Sequence, residues 1–102
     1  MKSVIRTTET SADNLITLNT GSVIDGITLI NDHSSKKGIV SIYGYDAKIN
    51  NCTVDNFEEY GVYGDHSDGL VCTGTSVRNS QNGIHTVYAS DITVKNCYVK
   101  NI

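Results

Sequence analysis

Apolar and polar residues alternate with a period of two along most of this chain, as in "KINNCTVDN" at 48–56 and "TVKNCYVKN" at 93–101. This period places successive side chains on opposite faces of an extended strand, and no 3.6-residue period persists long enough to predict a helix. The pattern therefore predicts an all-β chain of many short strands. The two quoted segments also nearly copy each other, which points to an internal repeat.

The repeat is 22 to 25 residues long. Four copies close on an asparagine, at spacings of 25, 23 and 22 residues: Asn31, Asn56, Asn79 and Asn101. In the last three copies a glycine and a β-branched residue come 18 residues before that asparagine: Gly38-Ile39, Gly61-Val62 and Gly83-Ile84. We expect the first copy to begin at "NLITL", with Asn14 in the glycine column.

Three apolar columns recur through the copies, one for each of three short strands. They are Ile39, Val62 and Ile84; Ile24, Ile49, Cys72 and Val94; and Leu29, Val54, Val77 and Val99. Residue types that accept positive φ recur between the second and third strands: Gly26, Asn51, Gly74 and Asn96. A unit this small must stack on its own copies to bury its apolar face. The sequence therefore predicts a solenoid with an asparagine ladder along one corner.

The Gly-Ile/Val strand starts, the recurring corner and the asparagine column resemble the right-handed parallel β-helix superfamily, which includes pectate lyases, polygalacturonases and viral tailspikes. The predicted fold is an all-β right-handed parallel β-helix of about four three-stranded coils over residues 14–102, as a fragment of a longer helix. Residues 1–13 are expected to form an N-terminal polar segment outside the coils. The resemblance further implies a sugar groove along the outer face of the strand that starts at the glycine.

Five polar or aromatic residues are the candidate substrate-binding residues on that face. On the groove face that the resemblance implies, the residue before each glycine and the residue two after it are expected to point outward, and the candidates among them are Lys37, Tyr60, Tyr63, Asn82 and His85. Val40 belongs to the same outward set. Aromatic rings stack on sugar faces, and amide and imidazole groups bond hydroxyls, so the set suits carbohydrate. Tyrosine is also favoured on outward strand positions by β-propensity alone, which is the alternative reading.

Catalytic residues are harder to assign. "SQNGIH" at 80–85 loosely resembles a polygalacturonase segment in which two aspartates flank a Gly-Ile pair, but Asn82 and His85 stand at those positions. Inverting hydrolysis needs a carboxylic acid and a carboxylate. The remaining candidates are His85 and the paired carboxylates Glu58 and Glu59, which an exposed loop would also explain. The sequence leaves enzymatic activity open between a polysaccharide lyase, a glycoside hydrolase and neither, because no catalytic motif is complete.

The turn "GDHSDG" at 64–69 carries the candidate metal ligands Asp65, His66 and Asp68. Carboxylate and imidazole groups bind divalent cations such as calcium, although aspartate, serine and glycine are also ordinary turn residues. No cofactor is otherwise expected. The column Tyr43, His66 and Tyr88 repeats a ring at one turn position, which predicts a stacked ladder of structural character.

The three cysteines form no CxxC pair, zinc-finger pattern or disulfide framework. Cys52 and Cys97 share a column two coils apart, roughly 9.6 Å by strand spacing, which exceeds the reach of a disulfide. Cys72 belongs to another column, on another wall. All three are expected to be buried apolar fillers.

The composition restricts the classes of partner that we expect for this chain. The 102 residues carry a net charge of −3 with interspersed signs, so nucleic acid is not expected. Neither a signal peptide nor the roughly 20 apolar residues of a membrane span occur in this chain, so we expect no membrane partner. The resemblance implies an extracellular or virion-associated location. Because strand edges at the ends of a solenoid need covering, we expect the remaining β-helix coils or a homo-oligomer partner to cover them.

Two functional hypotheses follow. In the first, the chain is a carbohydrate-engaging β-helix segment that binds or helps to cleave an extracellular polysaccharide. In the second, it is a catalytically inert β-solenoid that serves as a spacer, adhesin or assembly subunit.

Overall fold

The computed structural model describes residues 3–7, 14–31 and 37–100, and within these ranges the regular structure is entirely β. No helix of this part of the chain is long and apolar enough to cross a membrane. The strands are, in chain order, β1 (Ser3–Thr7), β2 (Asn14–Leu18), β3 (Val23–Asp25), β4 (Ile27–Asn31), β5 (Lys37–Ile42), β6 (Lys48–Asn50), β7 (Thr53–Asp55), β8 (Tyr60–Asp65), β9 (Val71–Thr73), β10 (Ser76–Arg78), β11 (Asn82–Val87), β12 (Thr93–Lys95) and β13 (Tyr98–Lys100).

These strands wind into four coils, which we number 1 to 4: β2–β4, β5–β7, β8–β10 and β11–β13. Equivalent strands of successive coils pair in parallel and form three walls. The first wall has the order β2-β5-β8-β11, the second β3-β6-β9-β12, and the third β1-β4-β7-β10-β13. The predicted parallel β-solenoid is confirmed.

The predicted apolar columns are confirmed by the strand register. On the second wall Ile24, Ile49, Cys72 and Val94 are successive partners. On the third wall the partners are Leu29, Val54, Val77 and Val99. In coils 1 to 3 these positions are buried and form one core, whereas in coil 4 Val94 and Val99 are 51% and 46% exposed. A further coil would cover them.

Positive φ recurs at the corner between the second and third walls, as predicted. Gly26, Asn51, Gly74 and Asn96 have φ values of 73°, 54°, 60° and 55°. Each backbone N–H in the first three copies donates to a carbonyl of the next coil, for example Gly74 to Lys95 at 3.0 Å. The corner is therefore a continuation of the parallel backbone pairing.

Three sequence expectations need correction or restriction. The segment 1–13 is not wholly outside the coils, because Ser3–Thr7 pair in parallel with β4 and extend the third wall. Asn14 is not in the glycine column, since it pairs with Lys37. The asparagine ladder is present between Asn31 and Asn56, whose side-chain amides each donate to the other's carbonyl at 2.9 Å.

In the next coil, Asn79 Nδ2 donates a hydrogen bond to Oδ1 of Asp55 at 2.8 Å. Asn101 lies outside the described residues. Asn56 and Asn79 have positive φ values of 72° and 54°, so the column repeats its backbone conformation in coils 2 and 3.

Candidate functional site

The first wall brings the predicted substrate-binding residues into two neighbouring rows. Lys37, Tyr60 and Asn82 are register partners at the starts of β5, β8 and β11. Three positions further along, Val40, Tyr63 and His85 are register partners. Parallel pairing without slippage therefore gathers all five candidates on three adjacent strands.

Three rings from coils 3 and 4 pack together on this wall. The ring centroids of Tyr60 and His85 are 4.9 Å apart with an interplanar angle of 21°, and those of Tyr63 and His85 are 5.8 Å apart at 9°. Tyr60 and Tyr63 lie 4.8 Å apart at 30°. The imidazole of coil 4 thus stacks on both tyrosines of coil 3, within the spacing at which aromatic pairs attract.

Lys37 adds a cation from coil 2. Its Nζ lies 5.9 Å from the Tyr60 ring centroid and 5.6 Å from that of Tyr63, which is cation–π distance. The same Nζ forms an ion pair of 3.1 Å with Oε1 of Glu59. We call Lys37, Tyr60, Tyr63 and His85 the ring cluster; it spans three coils and carries one cation whose charge Glu59 balances.

The order of the four side chains along the coils determines which parts of the ring cluster are accessible. The tyrosine pair lies between Lys37 on the coil 2 side and His85 on the coil 4 side, so flat stacking of a sugar on the tyrosine faces is obstructed. His85 is itself exposed. Solvent therefore reaches the cluster at the exposed imidazole and at the partly exposed tyrosines.

Asn82 and Val40 behave differently from the other candidates. Asn82 Nδ2 donates to the carbonyl oxygen of Glu59 at 3.3 Å and so ties β11 to the loop before β8. Val40 was expected to point outward, yet it is 0% exposed although it does not belong to the core cluster. Strand alternation therefore predicted correctly that Val40 lies on the outer face of the wall, but the prediction that it is exposed was wrong.

Burial raises the pKa of the Tyr63 phenol above its ordinary value, and the charges of Asp65 and Tyr60 raise it further, while Lys37 opposes them. The phenol therefore remains a neutral O–H donor to a higher pH than a free tyrosine.

The opposing charges of Lys37 and Asp65 predict the direction in which two substitutions shift the Tyr63 pKa. Lys37→Met removes the favourable cation and should raise the Tyr63 pKa further, whereas Asp65→Asn removes a repulsive charge and should lower it. The Cζ chemical shift of Tyr63, followed by NMR between about pH 9 and 12, measures both. Shifts of the same sign in the two variants would contradict the assigned causes.

The catalytic candidates are not arranged as an acid and base pair. Glu59 is engaged by Lys37, and Glu58 is exposed. His85 belongs to the ring cluster. The ion pair from Glu59 to Lys37 was missed from the sequence, although Glu59 directly precedes Tyr60, the register partner of Lys37. That adjacency was the available signal.

The metal candidates do not converge. Asp65 Oδ1 lies 2.6 Å from His66 Nδ1, while Asp68 Oδ1 accepts a hydrogen bond from the Ser90 N–H at 2.9 Å. Among the described residues, no three histidine, cysteine, aspartate or glutamate side chains form a group that could hold a metal ion.

The stacked turn ladder predicted for Tyr43, His66 and Tyr88 is confirmed. Ring centroids are 4.7 Å apart between Tyr43 and His66, and 5.1 Å apart between His66 and Tyr88. All three residues have positive φ, between 51° and 52°. The ladder lies at the corner between the first and second walls, separate from the ring cluster.

Parallel walls, repeated corners and unshifted register together define a β-solenoid. The family model described as "Right handed beta helix region" matches residues 37–102. The chain belongs to this right-handed β-helix family. Searches of curated proteins and of solved structures gave no match.

Proposed function

We propose that the first wall binds an extracellular polysaccharide through the ring cluster and Asn82. The observation that supports this most is the convergence of Lys37, Tyr60, Tyr63 and His85 from three coils onto one outer face. The binding mode follows from the layering: a sugar ring stacks on the exposed imidazole, and its hydroxyls meet the phenol edges and the amide. Binding rather than cleavage is proposed.

The test compares single variants on soluble polysaccharides. Affinity electrophoresis with polygalacturonate, alginate, xylan and dextran covers acidic and neutral chains. We expect at least one to retard the parent protein, and His85→Ala to weaken that binding about fivefold, since one stacking contact is worth on the order of 1 kcal/mol. Tyr63→Phe, which keeps the ring and removes its hydroxyl, tests the phenol edge separately.

Tyr88→Ala is the matched control, because it removes an exposed ring from the other stack. Tyr88 is 79% exposed, so its loss should leave folding and binding unchanged. Equal weakening by His85→Ala and Tyr88→Ala would contradict a specific site on the first wall. Absence of retardation on all four polysaccharides would contradict polysaccharide binding.

The second candidate function is an inert β-solenoid used as a spacer, adhesin or assembly subunit. It is favoured by one observation: the tyrosine faces are already occupied by Lys37 and His85, so the cluster also serves as internal packing between coils. This function predicts that His85→Ala lowers the stability of the fold without changing its binding to any polysaccharide.

A further inference from the structure

Two cysteine thiols meet where the second wall turns into the third. Cys97 Sγ lies 3.6 Å from Cys72 Sγ and 3.2 Å from the Cys72 carbonyl oxygen. Cys72 does lie in another column, on the second wall, as expected, but its thiol nevertheless contacts that of Cys97 at the corner after β12. Cys97 is also only partly buried, whereas Cys52 and Cys72 are buried.

The contact arises from a repeated orientation. In coil 2 the corner thiol of Cys52 points to the carbonyl of Ile24, one coil earlier, at 3.9 Å. Cys97 has the equivalent orientation toward coil 3, but there the second-wall residue is Cys72. A diagonal across the corner thus brings together two residues 25 positions apart that are not register partners.

We propose that Cys72 and Cys97 form an intramolecular disulfide under oxidising conditions, joining coils 3 and 4. A disulfide requires an S–S distance of about 2.05 Å, so the sulfurs must approach by roughly 1.5 Å. Cys97 stands at the corner of coil 4, whose strands β12 and β13 are exposed, so the packed core restrains its side chain less than that of Cys72.

Solvent exposure determines which of the two cysteines reacts first. With hydrogen peroxide as oxidant, the partly exposed Cys97 thiolate attacks one peroxide oxygen; an S–O bond forms, the O–O bond breaks, and hydroxide leaves and is protonated to water. Cys72 then loses its proton and attacks Sγ of Cys97; the S–S bond forms, the S–O bond breaks, and the hydroxide that leaves is protonated to water. Two thiols are oxidised by two electrons, and the peroxide is reduced to two waters.

Burial, reinforced by the neighbouring Cys97, raises the pKa of the Cys72 thiol to about 12. Cys72 is consequently protonated at neutral pH and resolves the oxidised Cys97 rather than reacting first. The second step should accelerate as pH rises.

The experiment treats the reduced, full-length chain with hydrogen peroxide and then blocks free thiols. Reactive thiols should fall from three to one, with a mass loss of about 2 Da for the two hydrogens. Digestion after glutamate, arginine and lysine separates the cysteines, because Glu58 lies between Cys52 and Cys72 and Arg78 lies between Cys72 and Cys97. The expected cross-linked product joins peptides 60–78 and 96–100.

Variants and thermal unfolding complete the test. Cys52→Ala should retain the link, whereas Cys97→Ser should abolish it while leaving the core cysteines in place.

Because the link closes a 25-residue loop, the oxidised chain should melt on the order of 10 °C higher than the reduced chain. A link through Cys52, an intermolecular disulfide, or oxidation of Cys97 that stops without a link would each overturn the proposal.

Discussion

The Gly61→Ala variant is expected to unfold at a much lower denaturant concentration than the parent chain. A Cβ at this position would lie 2.2 Å from Cγ1 of Val77, a distance at which one of the two must move. Val77 is 0% exposed and β-branched, so it has no space to rotate away. We expect a loss of about 3 kcal/mol in the free energy of unfolding, measured by urea denaturation and circular dichroism.

Two further variants identify the cause. Val77→Ala removes Cγ1, so the Gly61→Ala/Val77→Ala double variant should lose less stability than the sum of the single losses, with a coupling of roughly 1 kcal/mol or more. Gly64→Ala is the matched control, since its nearest contacts are Leu70 Cδ2 at 3.1 Å and Thr86 Cγ2 at 3.3 Å. Additive losses in the double variant would show that the clash with Val77 is not the reason for glycine at this position.

The Phe57→Ala variant should lose about 3–5 kcal/mol, the usual cost of deleting a buried phenylalanine. Phe57 has the largest fully buried side chain in the described residues and is 1% exposed. A domain of this size is stable by only about 5–15 kcal/mol, so the loss removes a large share of the total. Thermal and urea unfolding of the purified variant measure it.

Neighbouring substitutions separate packing from loop effects. Phe57→Leu keeps most of the volume and should cost about 1 kcal/mol, and Glu58→Ala in the same loop should change stability by less than about 0.5 kcal/mol. The Phe57 N–H, which donates to Ser80 Oγ at 3.2 Å, is unaffected by either change. If Phe57→Ala cost no more than Glu58→Ala, Phe57 would not be part of the core.

Much of the solenoid could be predicted because its geometry repeats at equal register. Alternation assigns a face, and the repeat assigns a column, so the sequence alone predicts that Leu29, Val54 and Val77 stack. The positive-φ corner and the ladder of Tyr43, His66 and Tyr88 were predictable for the same reason. The members of the ring cluster were also predicted, since they occupy two of these rows.

Other features could not be predicted from the repeated columns alone. Phe57 is in a loop whose length varies between coils, so no repeated position indicates that it turns inward. Cys72 and Cys97 meet on a diagonal, which a comparison of equivalent positions does not examine. Val40 lies on the outward face by alternation, but alternation carries no information about what covers that face. β1 has too few residues to show the full repeat.

The loops that join the third wall to the first tolerate changes in length that the corners between the second and third walls do not. β7 and β8 are separated by four residues, β10 and β11 by three, whereas the corners after β6, β9 and β12 all contain two. An insertion in the outer part of a variable loop costs only the slowly growing entropy of a longer loop. One added residue at a tight corner would instead exchange the inner and outer faces of the strand that follows. Length change can therefore accumulate along one edge of the solenoid, beside the ring cluster, while the stacked coils keep their register.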